Sequence, residues 1–191
     1  MTMPTRTIEG ARMNVTPATV VGFWREAGPA RWFASDEAFD NECRNGFLEA
    51  HLLAARREFE HWLGDAEGAL ALVLLLDQIP RNVFRRSAHA YATDGLARHY
   101  ASRALTLGLD TQVDVALRPF FYLPFEHSEA MADQERSLEL FARLPGDSAR
   151  WAQLHYDIIQ RFGRFPHRNA ALGRDSTTEE RAFLAEGGFS G

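Results

Sequence analysis

The sequence predicts an all-α fold of about eight helices in antiparallel pairs, with no sheet. Three observations carry this. Apolar residues recur at helical spacing through most of the 191 residues. Helix caps and helix stops punctuate that pattern at regular intervals. No stretch alternates apolar and polar residues with β-branched enrichment, which a half-buried strand requires.

The elements follow in order. Residues 1–14 are polar, broken by Pro4, and read as a loose N-terminal tail; residues 15–191 read as a single α-helical domain. Thr16 and Pro17 form an N-cap and a first-turn proline, opening a helix that carries Val20, Val21, Phe23 and Trp24 and stops near Gly28-Pro29. Ser35 opens a long helix to about Leu63, with Phe39, Cys43, Phe47, Ala50, Leu53 and Ala54 along one stripe. Residues 66–78 are apolar nearly all round, as in a helix buried on several sides, and this helix is expected to end before Pro80. Residues 80–92 read as a basic, irregular connection. A helix from Asp94 to Leu107 follows, then a short one near 111–117. That helix stops before Pro119, and the segment 119–127 is aromatic and proline-broken. Ser128 caps a helix to about Leu144, and another runs from Ser148 to Phe162. Residues 163–175 form a short turn-rich segment. Ser176 and Glu179 make a capping box for a last helix, which Gly187-Gly188 ends.

Composition narrows the function. The chain is 46% hydrophobic and 12% aromatic, enough for a core that needs no disulfide or metal staple. The single cysteine, Cys43, excludes a disulfide framework and multi-cysteine metal sites, and it lies on an apolar stripe as a core residue. All 21 basic residues are arginine. Without lysine there is no Schiff base, no pyridoxal-phosphate aldimine and no P-loop or kinase lysine. A net charge of −5 gives no basic footprint for duplex DNA. The longest apolar run, Ala69 to Leu76, falls far short of the ~20 residues of a membrane span. With no apolar run of signal-peptide type and one thiol, the sequence predicts a cytoplasmic protein.

The informative residues are polar ones on apolar faces. Asp77 continues the line of Leu70, Val73 and Leu74. Gln134 shares a face with Met131, Leu138 and Phe141, and His155 shares one with Trp151, Leu154, Ile158 and Phe162. Buried without partners, each costs about 1–3 kcal/mol. Donors close in sequence are Arg81, Asn82, Arg161, Arg164, His167, Arg168 and Asn169. The segment from Arg161 to Arg174 carries four arginines and no acid, so the rest of the chain is at −9. Two readings stay open. One is a structural network, in which the arginines cap helices and pair with Asp77, Glu126 or Glu135. The other is a polar pocket with arginine forks for an anion.

Weaker signals have plainer readings. Glu58 and His61 make one Glu-x-x-His pair, where a di-iron bundle needs two, so a surface pair is expected and no metal site. His127 precedes the expected Ser128 cap and is a candidate for the pocket. No nucleophile elbow, dinucleotide fingerprint or zincin motif is present.

Longer motifs carry a resemblance. Leu74-Leu-Leu-Asp-Gln-Ile-Pro-Arg-Asn82, His127-Ser-Glu129 with Asp133-Gln-Glu135, and Arg161 to Asn169 with Leu172-Gly-Arg174 and Ser176-Thr177 resemble the bacterial family known as domain of unknown function 924. Phe23-Trp24, Arg31-Trp-Phe33, Asp36 and Phe39-Asp40 match its N-terminal pattern. The segment from Arg85 to His89 departs from it. The resemblance covers about residues 16–188. It implies an all-α, tetratricopeptide-like fold and no particular activity.

The expected function is therefore a small-molecule protein with a buried polar pocket for an anionic phosphate or carboxylate metabolite. If it catalyses, a cofactor-free hydrolytic or proton-transfer step fits. Asp77, His155 and His127 are the catalytic candidates. Arg81, Asn82, Gln134, Arg161, Arg164, His167, Arg168 and Asn169 are the ligand-binding candidates. The alternative is a tetratricopeptide-like scaffold for a peptide partner, with the polar residues purely structural.

Overall fold

A computed structural model describes residues 15–189. It is all helical, with no strand among the described residues. Ten α-helices form: α1 (Pro17–Ala27), α2 (Pro29–Trp32), α3 (Glu37–Ala55), α4 (Ala66–Val73), α5 (Ile79–Val83), α6 (Asp94–Thr106), α7 (Pro119–Glu126), α8 (Met131–Phe141), α9 (Ser148–Phe162) and α10 (Thr178–Ala185). The expected 1–14 tail lies outside the described residues. No described helix is long and apolar enough to cross a membrane.

Helix starts are set by side-chain caps. Thr16 caps α1 as expected, accepting from the Thr19 amide. The cap of α3 is Asp36, not Ser35: its carboxylate accepts from the amides of Ala38 and Phe39, and its charge also suits the helix dipole. The capping box of α10 is likewise one residue on, between Thr177 and Glu180. Ser128 is not the cap of α8. Its hydroxyl donates to Asp133 and accepts from the Ala130 amide, turning the chain ahead of the helix.

The long helix expected from Ser35 to Leu63 is broken at Ala55. Arg57 adopts φ 63°, and a 3₁₀ turn, Glu60–Gly64, follows. The break lets Phe59 and Trp62 stack at 4.2 Å and lets the Trp62 backbone sit against α4. The contact needs Gly68, because a Cβ there would lie 2.1 Å from the Trp62 carbonyl oxygen. Helicity also reaches further than expected across 119–126. Pro119 opens α7 and Pro124 is accommodated inside it.

The largest correction concerns Pro80. The buried helix does not end before it. α4 passes through a π turn, Leu74–Gln78, into α5, so 66–83 is one helical stretch. In a regular α-helix the amide of Ile79 would bond Leu75, and residue 80 would bond Leu76. Here the Ile79 amide reaches back to Leu74, and Pro80 has no amide hydrogen. Two carbonyls are freed inside the core. His51 Nδ1 donates to the Leu75 carbonyl at 2.8 Å, and the Thr93 hydroxyl donates to that of Leu76 at 2.6 Å. The turn thus survives because two neighbouring helices satisfy it.

This central stretch is the hub. α1 and α6 pack on α4, α3 packs on α5, and α7 approaches the π turn. α7, α8 and α9 then pack in sequence. The main apolar cluster gathers Trp24, Phe39, Leu70, Leu74, Tyr100, Phe120 and Phe125, among others. A second cluster, Ile158, Ile159 and Phe165, lies under α9 with Phe162, Phe183 and Phe189. The stacking is compatible with a tetratricopeptide-like order. Cys43 is in the main cluster, where burial pushes its thiol up to about 12.

Candidate polar centre between the π turn and the α7–α8 corner

The π turn delivers Asp77 to the end of α7, and the side chain is wholly buried. His127, at the C-terminus of α7, donates from Nδ1 to Asp77 Oδ1 at 2.9 Å. Gln78 Nε2 donates to Oδ2 at 2.6 Å, and Arg81 Nη1 lies 3.3 Å from Oδ1. Burial alone would push the Asp77 carboxyl up. The Arg81 charge and the His127 and Gln78 hydrogen bonds outweigh it and hold Asp77 well below the usual carboxylate range. Arg81 also forks onto Asp94 at 2.9 and 3.0 Å, so each buried charge has a partner.

A second pair stands beside the first. Glu126 is 3% exposed, and His155 Nδ1 lies 3.3 Å from its Oε1 and 2.8 Å from the Trp151 carbonyl. Burial, and then the nearby Asp77 charge, pushes the Glu126 carboxyl up to about 8. At neutral pH it is a carboxylic acid, a donor rather than an anion. Burial brings the imidazole of His155 down to about 4 and that of His167 to about 3. His127 is also lowered, by burial and by Arg81, against the pull of Asp77.

The shell around these pairs is specific. Gln134 is wholly buried, and its amide donates to the carbonyls of Glu126 (2.7 Å) and Ser128 (2.6 Å), fixing the α7–α8 corner. Arg168 donates to the His127 carbonyl at 2.9 Å, and its guanidinium lies over Phe165 at 4.4 Å and Tyr91 at 4.7 Å. Burial and the neighbouring Arg81 lower Arg168 to about 10, so it stays cationic at neutral pH. Glu129 holds the segment that carries Arg168 in place. It pairs with Arg174 at 2.7 Å and accepts from the Phe165 amide at 2.8 Å. Four buried polar atoms of this region have no hydrogen-bond partner among the described residues: Glu126 Oε2, Gln134 Oε1, His167 Nδ1 and Arg168 Nε. Each such atom costs about 1–3 kcal/mol when it stays unpaired.

The sequence-predicted candidates divide into two groups. Asp77, Arg81, His127, Gln134, His155, His167 and Arg168 come together. Arg164 and Asn169 turn to α10 and the chain ahead of it instead of to the polar centre. Arg164 forks onto Glu180 at 2.6 and 2.9 Å, and Asn169 donates to Ser176 and to Glu180. Arg161 pairs at the surface with Glu179. Asn82 donates to the Gln78 carbonyl and accepts from Arg85. These four serve packing and capping networks, and the two arginines pair with Glu179 and Glu180 rather than with the Asp77, Glu126 or Glu135 that the structural alternative named. Glu126 and Asp94 were not among the site candidates. Glu126 had a signal, its place beside His127, whereas Asp94 reads locally as a first-turn acid like any other. No group of three or more His, Cys, Asp or Glu among the described residues is arranged to hold a metal.

The model of the family described as "Bacterial protein of unknown function (DUF924)" matches residues 20–188. The chain belongs to this family. A solved structure, that of the protein of unknown function ATU0120 from Agrobacterium tumefaciens, is of a chain 53% identical to this one. It superimposes with a TM-score of 0.87 over 90% of this chain and 97% of its own. No curated protein matches. The motifs around Asp77 and His127, and from Arg161 to Asn169, lie within the matched span.

Proposed function

We propose that this DUF924 protein performs acid–base chemistry on a small anionic molecule at the Asp77–His127 pair. The observation that carries the reading is an imidazole whose Nδ1 is tied to a wholly buried carboxylate. That bond fixes the tautomer and leaves the lone pair of the neutral ring on Nε2. Nε2 of His127 is the base that takes a proton from the substrate or from an attacking water. Asp77 stabilises the imidazolium formed. Glu126, protonated at neutral pH, is the acid that returns a proton. Arg168, with Nε unpaired, faces the anionic group. Gln134 and His155 orient, and the reading calls for no cofactor.

One observation favours a peptide-binding scaffold instead. Trp151 is 52% exposed beside an open cleft of about 350 Å³ lined also by Arg150, Gln153, Leu154 and Asp157.

The test is a thermal melt of the full chain with inorganic phosphate, acetate, benzoate and dicarboxylates, run beside Arg168→Gln. A ligand at a hundred times its Kd adds about 2.7 kcal/mol. For a chain of this length that is about 5–10 °C. A saturable shift with one anion class, lost in Arg168→Gln, is expected. The shift is read within each variant, so a lower starting Tm does not confuse it. A wild-type melt unmoved by every anion would overturn the reading and leave the scaffold.

A further inference from the structure

Four aromatic rings close a loop beside the polar centre. His155 lies 5.5 Å from Phe165 and 4.6 Å from Phe189, and His167 lies 5.6 Å from Phe165 and 5.3 Å from Phe189. Three of these rings are fixed. His155 is in the middle of α9, and Phe165 and His167 belong to the segment that Glu129 and Arg174 clamp. Phe189 differs. It is joined to α10 through Gly187 and Gly188 and is only partly buried.

The two glycines aim it. Gly187 takes φ 84°, and the Gly188 amide returns to the Phe183 carbonyl at 2.9 Å. A Cβ at Gly188 would lie 2.5 Å from that oxygen, so only glycine allows the turn. The chain then crosses back and lays one phenyl ring over two imidazoles of the site. A ring so placed fills a slot and keeps water from two titratable groups.

We propose that the slot walled by His155, Phe165 and His167 is a subsite for a planar ring of the ligand, and that Phe189 is a strap that fills it when the ligand is absent. The inference rests on the acid–base reading for the rest of the ligand and adds its chemical class: an aromatic or heteroaromatic acid. T-shaped contacts like the two that Phe189 makes are what such a ring would inherit. Arg168, stacked on Phe165, stands next to the slot, within reach of a carboxylate attached to the ring.

The experiment compares the full chain with Phe189→Ala. The first readout needs no ligand: NMR titration of His155 and His167. With the strap removed, both imidazoles regain water and titrate about one pH unit or more closer to their ordinary value. The second readout is calorimetric binding of benzoate and acetate, two carboxylates that differ by a ring. Phe189→Ala is expected to bind benzoate at least about tenfold more tightly than the wild type does, with acetate unchanged. Histidines that titrate as in the wild type would overturn the strap. Equal gains for benzoate and acetate would overturn the ring slot. Binding of neither probe to either protein would overturn the ring slot, while the acid–base reading falls only if phosphate and the dicarboxylates fail as well, and the histidine titration still reads the strap on its own.

Discussion

Replacing Glu126 by glutamine removes a titrating group and keeps its shape. The carboxyl goes from 4.5 in the ordinary state to about 8 in the folded protein, because it is buried beside Asp77. A raised value means that the native state holds a proton that the unfolded chain has released between those two pH values. The resulting stability is fully present below 4.5 and is lost as pH rises through 8. Integrated from pH 6.5 to 8.5, the loss is about 2 kcal/mol. His155 and His167 work in the opposite sense. Their lowered values give stability that is present above the ordinary 6.5 and lost as pH falls through about 4 and about 3. Cys43, pushed up to about 12, weakens the native state only above the ordinary thiol value of 9.0. These groups are common to the wild type and Glu126→Gln, so the difference between the two proteins isolates Glu126. Urea unfolding of both across pH 6.5–8.5 should show the wild type losing about 2 kcal/mol relative to the variant, or about 4–8 °C by melting. A difference that stays constant with pH would show that Glu126 is ionised in the fold, and the acid assigned to it would be lost.

The other predictions concern what holds the site in place. Thr93→Val keeps the volume and leaves the Leu76 carbonyl without its donor, so urea unfolding should show a loss of about 1–2 kcal/mol. Gly68→Ala drives a Cβ onto the Trp62 carbonyl, and calorimetry should show about 3 kcal/mol of destabilisation. Thr177→Ala removes the side-chain half of the α10 capping box, leaves the residue-177 amide on the Glu180 carboxylate, and should cost about 1 kcal/mol in urea unfolding.

The sequence determined the fold class, most helix starts and most of the inward faces, though Trp151, placed on the inward stripe with His155, is 52% exposed. Periodicity places Asp77, Gln134 and His155 inside, and each is buried. Those are local properties, written in the spacing of apolar residues and in caps that act within one turn. The sequence also carried the family through its long motifs. It did not determine where the chain departs from a regular helix. The break at Ala55 has no glycine or proline to announce it, and the fit of Trp62 against Gly68 accompanies it. Pro80 reads locally as a stop, yet the helix continues because His51 and Thr93, 24 and 17 residues from the carbonyls they meet, satisfy what the π turn frees. Nor could the sequence say which inward residues meet. Arg164 and Arg168 are four residues apart in the same basic segment. One is drawn to Glu180 on α10 and the other to the His127 carbonyl. That choice is made by partners 16 and 41 residues away, and only the tertiary packing brings them into range.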